Sequence, residues 1–308
     1  MSETFHALSA IEAAAAINQD DMCVDDLLYI SANTHRPKHE CFTCPWLALV
    51  VRQIHPWQAE FRSEGCKAAL NSELTKLRQK GVWDESTVKE WSQVVADAAG
   101  TNDVPMLGDL FAIMGQKNSE LGIAAGPEAP YKARIVFGGH NIRTASGQPA
   151  HTLFQEVATT PSTMASARTA LGIGALRGNR ATIRDAEKAY IQSRIKQPGR
   201  NSTWVSLPKD WWPPEWFDKN GLPLFKKPVV ELILSLYGHP ESGALWDKHL
   251  KKALVELGYV AVDNNPGVWF HKPTKAILIV YVDDLLLVAC PKVDDLSLIH
   301  ISEPTRPY

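Results

Sequence analysis

The sequence predicts an α+β fold with a mostly antiparallel sheet. Two observations carry that expectation. Short β-rich runs and amphipathic helical stretches alternate irregularly, without the strict strand–helix rhythm of a parallel sheet. Late in the chain, three strand-like runs at 268–271, 276–282 and 285–289 follow one another with no helix between them, the arrangement of antiparallel neighbours. Composition permits the core such a fold needs: 308 residues, 45% hydrophobic and 21% charged, suit one large domain or two small ones. No internal repeat breaks the chain into equal parts.

Residues 1–55 read as a leader without a single pattern, partly disordered. An Ala-rich helical stretch at 7–17 precedes an acidic patch (Asp20, Asp21, Asp25, Asp26) and then His35-x3-His39-x-Cys41-x2-Cys44. Those four side chains can bind zinc tetrahedrally. Their spacing matches no finger or knuckle pattern, and Pro37 and Pro45 make a plain loop just as well, so both readings stay open. Residues 66–81 carry Ala69, Leu70, Leu74 and Leu77 on one stripe with Gly81 as the stop, an amphipathic helix. Val82-Trp83-Asp84 follows, then a second helix from Thr87 to Ala99, halted by Gly100. Turn formers and short apolar pieces fill 101–130 and end in Gly126-Pro-Glu-Ala-Pro130, the pattern of a linker or excursion.

From Tyr131 the signals tighten. Ile135–Phe137 reads as a strand ended by Gly138-Gly139, and Ser162 as the cap of a helix running to Leu176. Residues 181–184 read as a strand leading into Asp185 and a helix-favouring run at 186–191. Trp204–Leu207 and Val229–Leu236 are extended, and Ser242 caps a helix whose apolar face (Leu245, Trp246, Leu250, Leu254) is closed by Gly258. The last stretch, Leu296–Tyr308 (LSLIHISEPTRPY), is similar to a sequencing-library adapter read in frame, so 291–308 are expected to be a non-native tail.

Several classes are excluded. No run reaches the about 20 uninterrupted apolar residues of a membrane helix; the longest, 276–289, is broken by Asp283 and Asp284. The N-terminus lacks the basic start and apolar stretch of a signal peptide. Five cysteines, an odd number, point to free thiols in a reducing compartment. Net charge is −2, but its distribution is uneven: residues 131–210 hold twelve Lys/Arg against four acids, while 1–130 hold ten against eighteen. A basic block beside an acidic flank suits phosphate binding, and it equally suits an ordinary solvated surface.

Chemistry concentrates in 276–289. Apolar runs flank Asp283 and Asp284, the pattern of a buried hairpin with both acids at or beside its turn. Adjacent carboxylates among apolar strands repel one another and resist desolvation, and a hard divalent cation relieves both penalties. A simple solvated turn explains the Asp pair as well. Asp185 lies where a strand hands over to a helical run, and helix capping alone accounts for an Asp there. Tyr190 follows five residues on, and Tyr237-Gly238-His239-Pro240 breaks another strand sharply.

Together these residues resemble the reverse transcriptase of copia-type LTR retrotransposons, in a divergent form like that of dinoflagellate elements, from about Trp57 to Cys290. Tyr281-Val-Asp-Asp284 matches its YVDD signature, and Asp185-Ala-Glu-Lys-Ala-Tyr-Ile-Gln192 its DVKTAFLN-like motif. Ser235-Leu-Tyr-Gly-His-Pro-Glu-Ser-Gly-Ala-Leu-Trp246 matches SLYGLKQAPRAW, Lys132-Ala-Arg-Ile-Val136 matches KARLV, and Gly81-Val-Trp-Asp84 the upstream G-x-W block. The resemblance implies a right-hand polymerase palm, a ferredoxin-like antiparallel sheet with helices on one face, plus partial fingers over 56–290. It implies RNA-directed DNA polymerase activity on dNTPs and a primed RNA or DNA template, with no membrane partner. Asp185 and Asp283 would bridge two Mg²⁺ ions (or Mn²⁺), with Asp284 a weaker third ligand. Lys132 and Arg134 would neutralise the triphosphate, Tyr190 would be the steric gate against a ribonucleotide 2′-OH, and Tyr237 and Gly238 would lie beneath the nascent base pair or template strand. Location would be a cytoplasmic particle, the nucleus, or both.

Departures from the family leave other readings open. The KARLVARG block loses one basic residue at Phe137-Gly138-Gly139, and His239-Pro240-Glu241-Ser242 replaces a basic stretch. With the chain ending close after the hairpin, no thumb or RNase H region is expected. A decayed or domesticated palm that at most binds nucleic acid is therefore the competing reading. An RNA-templated RNA polymerase is a third, against which Tyr190 and the YVDD context argue.

Overall fold

The computed structural model describes residues 51–119, 129–150, 161–186 and 188–290. The Ala-rich stretch at 7–17, the His35/His39/Cys41/Cys44 group and the tail from 291 lie outside them. In chain order the strands are β1 (Arg52–Ile54), β2 (Trp83–Glu90), β3 (Met106–Gln116), β4 (Tyr131–Phe137), β5 (Arg143–Thr144), β6 (Arg180–Asp185), β7 (Thr203–Ser206), β8 (Pro228–Leu232), β9 (Tyr259–Ala261), β10 (Val268–His271), β11 (Ala276–Tyr281) and β12 (Asp284–Ala289). The α-helices among the described residues are α1 (Glu64–Gln79), α2 (Trp91–Ala98), α3 (Met164–Gly174) and α4 (Ser242–Glu256). The protein is thus α+β with antiparallel and mixed sheets. Within the described residues it divides into two compact units, one of 51–150 and 190–246, the other of 161–189 and 247–290.

The first unit is organised by β3. It pairs antiparallel with β1, β4 and β5 and parallel with β7, and the sheet continues through β8 to β2. The linker expected over 101–130 is therefore corrected: 106–116 is the hub of the sheet. Gly108 and Asp109 read as turn formers, yet Gly108 is there for packing. A Cβ on it would lie 2.2 Å from the Phe137 ring, which occupies that space from the neighbouring strand. Leu110 and Met114 are buried on the same strand.

A second correction concerns 87–99. The strand β2 runs on through Glu90, and helix α2 begins only at Trp91. Tertiary pairing overrides the helical pattern here. Lys89 and Glu90 lie opposite Val229 and Pro228 across a bulge. The Glu90 carboxylate accepts the backbone N–H groups of Lys226 and Lys227 at 2.6 and 2.9 Å. Helix α1 forms where its stripe predicts, with Ser63 capping it (Oγ accepts from Cys66 N–H at 3.4 Å), Leu74 and Leu77 buried, and Gly81 at φ +64° beyond its end. Cys66 is buried in this helix as a free thiol, and burial pushes its pKa up.

The second unit holds a wholly antiparallel sheet in the order β6-β12-β11-β10-β9. Helix α3 packs Ala167, Ala170 and Ile173 on one face of it, against Val268, Ile279 and Val288. Its cap is Thr163, whose Oγ1 accepts from Ser166 N–H at 3.1 Å, in place of the expected Ser162, which is buried. The helix expected over 186–191 is absent. A 3₁₀ turn, Ala189–Gln192, stands there instead. No helix among the described residues is long and apolar enough to cross a membrane.

Gly108→Ala should cost on the order of 1–3 kcal/mol, since Phe137 or the strand must shift to admit a methyl group. Thermal melts would check this, with Phe137→Leu restoring part of the loss in the double variant. An unchanged melting temperature would mean that the close approach is not a constraint.

Candidate active site

The hairpin expected from the apolar runs forms, with Tyr281 and Asp284 as its closing pair and Val282-Asp283 as a two-residue turn. Val282 has φ +59°, a left-handed conformation that costs a β-branched residue on the order of 1–2 kcal/mol. A positive φ at the first turn residue is what a tight hairpin turn of the II′ type requires, and Gly is the usual occupant. On the other edge of β12, Asp284 lies directly opposite Asp185 of β6. Tyr281, Asp284 and Asp185 therefore stand abreast on three adjacent strands, and opposed residues share a face. Asp283 is tied in as well, because its carbonyl accepts the N–H of Ala186 at 2.8 Å.

Asp185 and Asp284, 99 residues apart in sequence, thus meet at one edge of one sheet. The Asp284 carboxyl is raised above the usual range, first by the burial it has and then by the negative charges of Asp283 and Asp185. Among the described residues, no group of three or more His, Cys, Asp or Glu is arranged as a ready chelate. Register brings the three backbones together, while like charge favours carboxylates that splay apart.

The five other predicted residues all belong to the first unit. Lys132 and Arg134 are both exposed on one face of β4, alternating with buried Ala133 and Ile135. Strands β3 and β4 put Arg134 opposite Ile113 and Val136 opposite Phe111. Ile113 and Phe111 are 39% and 40% exposed, so the cationic face is also an apolar one, which the sequence reading missed. Tyr190 is the second residue of the Ala189–Gln192 segment, and its ring meets that of Tyr237 edge-on, with centroids 4.4 Å apart at 69°.

Tyr237 and Gly238 dock on the end of β4. Phe137 N–H donates to the Tyr237 carbonyl at 2.7 Å. Gly238, at φ +89°, lies so close that a Cβ would be 2.1 Å from the Phe137 carbonyl oxygen, and a Cβ on Gly139 would be 2.0 Å from that of Gly238. His239 completes the junction, a role not foreseen from the sequence. Its ring is buried against Phe137 at 4.8 Å, and its Nδ1 accepts the N–H of Glu241 at 3.2 Å. Burial, then the nearby Arg200 charge, lowers its pKa to about 3, so it is neutral at physiological pH. Arg200 in turn pairs with Glu241. The Gly-His-Pro sequence was the available signal, a tight turn next to a residue that packs equally well as a neutral ring.

An α+β chain whose carboxylates crowd at a hairpin turn is the class that fold and site define. No protein-family model matches it. Over 70 residues it is 33% identical to a Ty5-1 transposon protein of Saccharomyces cerevisiae, a stretch that is 22% of this chain and 23% of the yeast protein. The chain therefore spans less than a quarter of that relative, and the likeness is to a retrotransposon-related sequence.

Charge crowding at Asp284 has a measurable sign. A carboxyl with a raised folded pKa favours the folded state at low pH and loses that contribution as pH rises through the folded value. Asp284→Asn should therefore raise Tm at pH 7 by about 1–2 °C and leave it unchanged near pH 3. Differential scanning calorimetry at both pH values checks this, and an equal shift at each would show that charge is not the cause.

Proposed function

We propose that the chain is the fingers-and-palm region of a copia-type retrotransposon reverse transcriptase, an RNA-directed DNA polymerase. One observation carries the reading: the β6–β12 register that stands Asp185 against Asp284 with Asp283 in the adjoining turn. The yeast transposon similarity supports a retroelement origin. The donor set fits hard divalent cations, since it is all carboxylate. Mg²⁺ or Mn²⁺ held there would supply activation of a primer 3′-hydroxyl and stabilisation of the departing pyrophosphate.

The chain's own residues have the remaining tasks. Asp185 and Asp283 would hold both ions, and Asp284 would be a weaker third ligand. Lys132 and Arg134, exposed side by side on β4, would offset triphosphate charge. Tyr190 would exclude a 2′-hydroxyl, and Tyr237 with Gly238 would support the nascent base pair. The basic block of 131–210 would track template and primer backbones without sequence preference. Nucleotidyl transfer asks mainly for such positioning and charge offset. Because no ready chelate is arranged among the described residues, the second reading is a non-catalytic palm remnant that at most binds nucleic acid.

The deciding assay is Mg²⁺- or Mn²⁺-dependent dNTP extension on a primed RNA template, wild type beside Asp283→Asn. Extension lost by about 10²-fold or more in the variant supports the polymerase. Equal extension by both proteins rejects the site, and none by the wild type favours the remnant.

A further inference from the structure

Asp185 and Asp283 are not partners in the strand ladder. Asp185 is paired with Asp284, while Asp283 is the second residue of the hairpin turn, beyond the last rung. A main-chain bond crosses from the end of β6 to that turn, with Ala186 N–H donating to the Asp283 carbonyl at 2.8 Å. It links the peptide that follows Asp185 to the peptide that follows Asp283. Val282, the first turn residue, is at φ +59°, and a β-branched residue keeps that conformation only where its surroundings hold it. The donor is itself firmly placed. Ala186 is 1% exposed, and its carbonyl accepts from Ala189 N–H at 3.2 Å, so packing and a second hydrogen bond orient the segment that presents the N–H. All of these residues lie in the second unit.

We propose that Ala186 is a positioning residue for the metal centre: its N–H sets the Asp283 turn against the end of β6, and so helps fix the spacing of the Asp185 and Asp283 carboxylates. This rests on the polymerase reading of those two acids. Ions shared between two carboxylates demand a set geometry, so a turn that swings away from β6 binds them more weakly. A main-chain hydrogen bond is worth roughly two- to tenfold in the population of the anchored turn. Apparent metal affinity scales with that population. Only main-chain atoms take part in the contact, so the identity of residue 186 matters less than its N–H.

The test removes that N–H alone. Lactic acid incorporated at position 186 of the full chain puts an ester oxygen in its place and keeps the methyl group. The control is the α-hydroxy analogue of valine at position 262, where the lost N–H donates to the Val268 carbonyl at 3.0 Å, away from the turn. Mn²⁺ binding is read from the paramagnetic resonance of the free ion, and the site's share is the part lost in Asp283→Asn. That share should weaken roughly two- to tenfold in the position-186 ester and stay at the wild-type level in the position-262 ester. Thermal melts establish that both esters fold. Unchanged affinity at position 186, or equal weakening in both esters, overturns the inference while the metal site stands. If Asp283→Asn loses no Mn²⁺ binding, the metal centre itself is absent, and the polymerase reading falls together with the inference. Where the wild type extends a primer, the Mg²⁺ concentration for half-maximal rate should rise by the same factor in the position-186 ester, with KM for primer–template unchanged. A rise in that KM alone would point to a general distortion and overturn the positioning role.

Discussion

A slip of one residue between β6 and β12 would send Asp185 and Asp284 to opposite faces of their sheet. Everything proposed for the carboxylates depends on that register. The β12 side of it is fixed by packing on both faces. On one face Ile279 and Val288 pack with Val268 beneath helix α3. On the other, Leu278, Leu285 and Leu287 are buried, each worth on the order of 1.5–3 kcal/mol. A shifted strand would trade these side chains for Asp284 and its neighbours. The two-residue turn and the Ala186–Asp283 backbone bond leave no slack at the end where the acids lie.

The same end of the sheet is where local rules are broken. Val282 occupies a conformation suited to glycine, and the Asp284 pKa is raised, first by desolvation and then by the charges of Asp283 and Asp185. Neither feature helps folding. Both are tolerated because β11 and β12 behind them are deeply buried. The strain at Val282 and the repulsion among the acids also share a remedy. A cation bridging the carboxylates would reward the geometry that the turn imposes.

What the sequence revealed follows from how local each signal was. The hairpin was legible because its apolar runs are long and its Asp pair sits between them. The strand at 268–271 and the helix of Leu74 and Leu77 were legible because one periodicity dominates each window. β3 was not. Its Gly108 serves a ring 29 residues away on another strand, and no local pattern distinguishes that from a turn glycine. Residues 87–90 were misread because their strand character comes from Val229 and the lysine N–H groups of a distant segment. At the candidate site, motif order picked out Asp185, Asp283 and Asp284, which the β6–β12–β11 register brings to one end of the sheet. It gave no hint that Phe111 and Ile113 share a face with Lys132 and Arg134, since that depends on β3–β4 register.

His239 has a structural role in its turn. A charged imidazolium there would be a buried cation beside Arg200, a cost that only a paired partner offsets. The neutral imidazole instead packs on Phe137 and takes the Glu241 N–H, while Arg200 finds its counter-charge in Glu241. The loop therefore keeps Gly238 pressed against β4 without any exposed basic residue of its own. If this region grips a polyanion, the charge must come from elsewhere on the same unit, and the exposed Lys132 and Arg134 on β4 are the cations that the Gly139–Gly238 contact ties most directly to Tyr237.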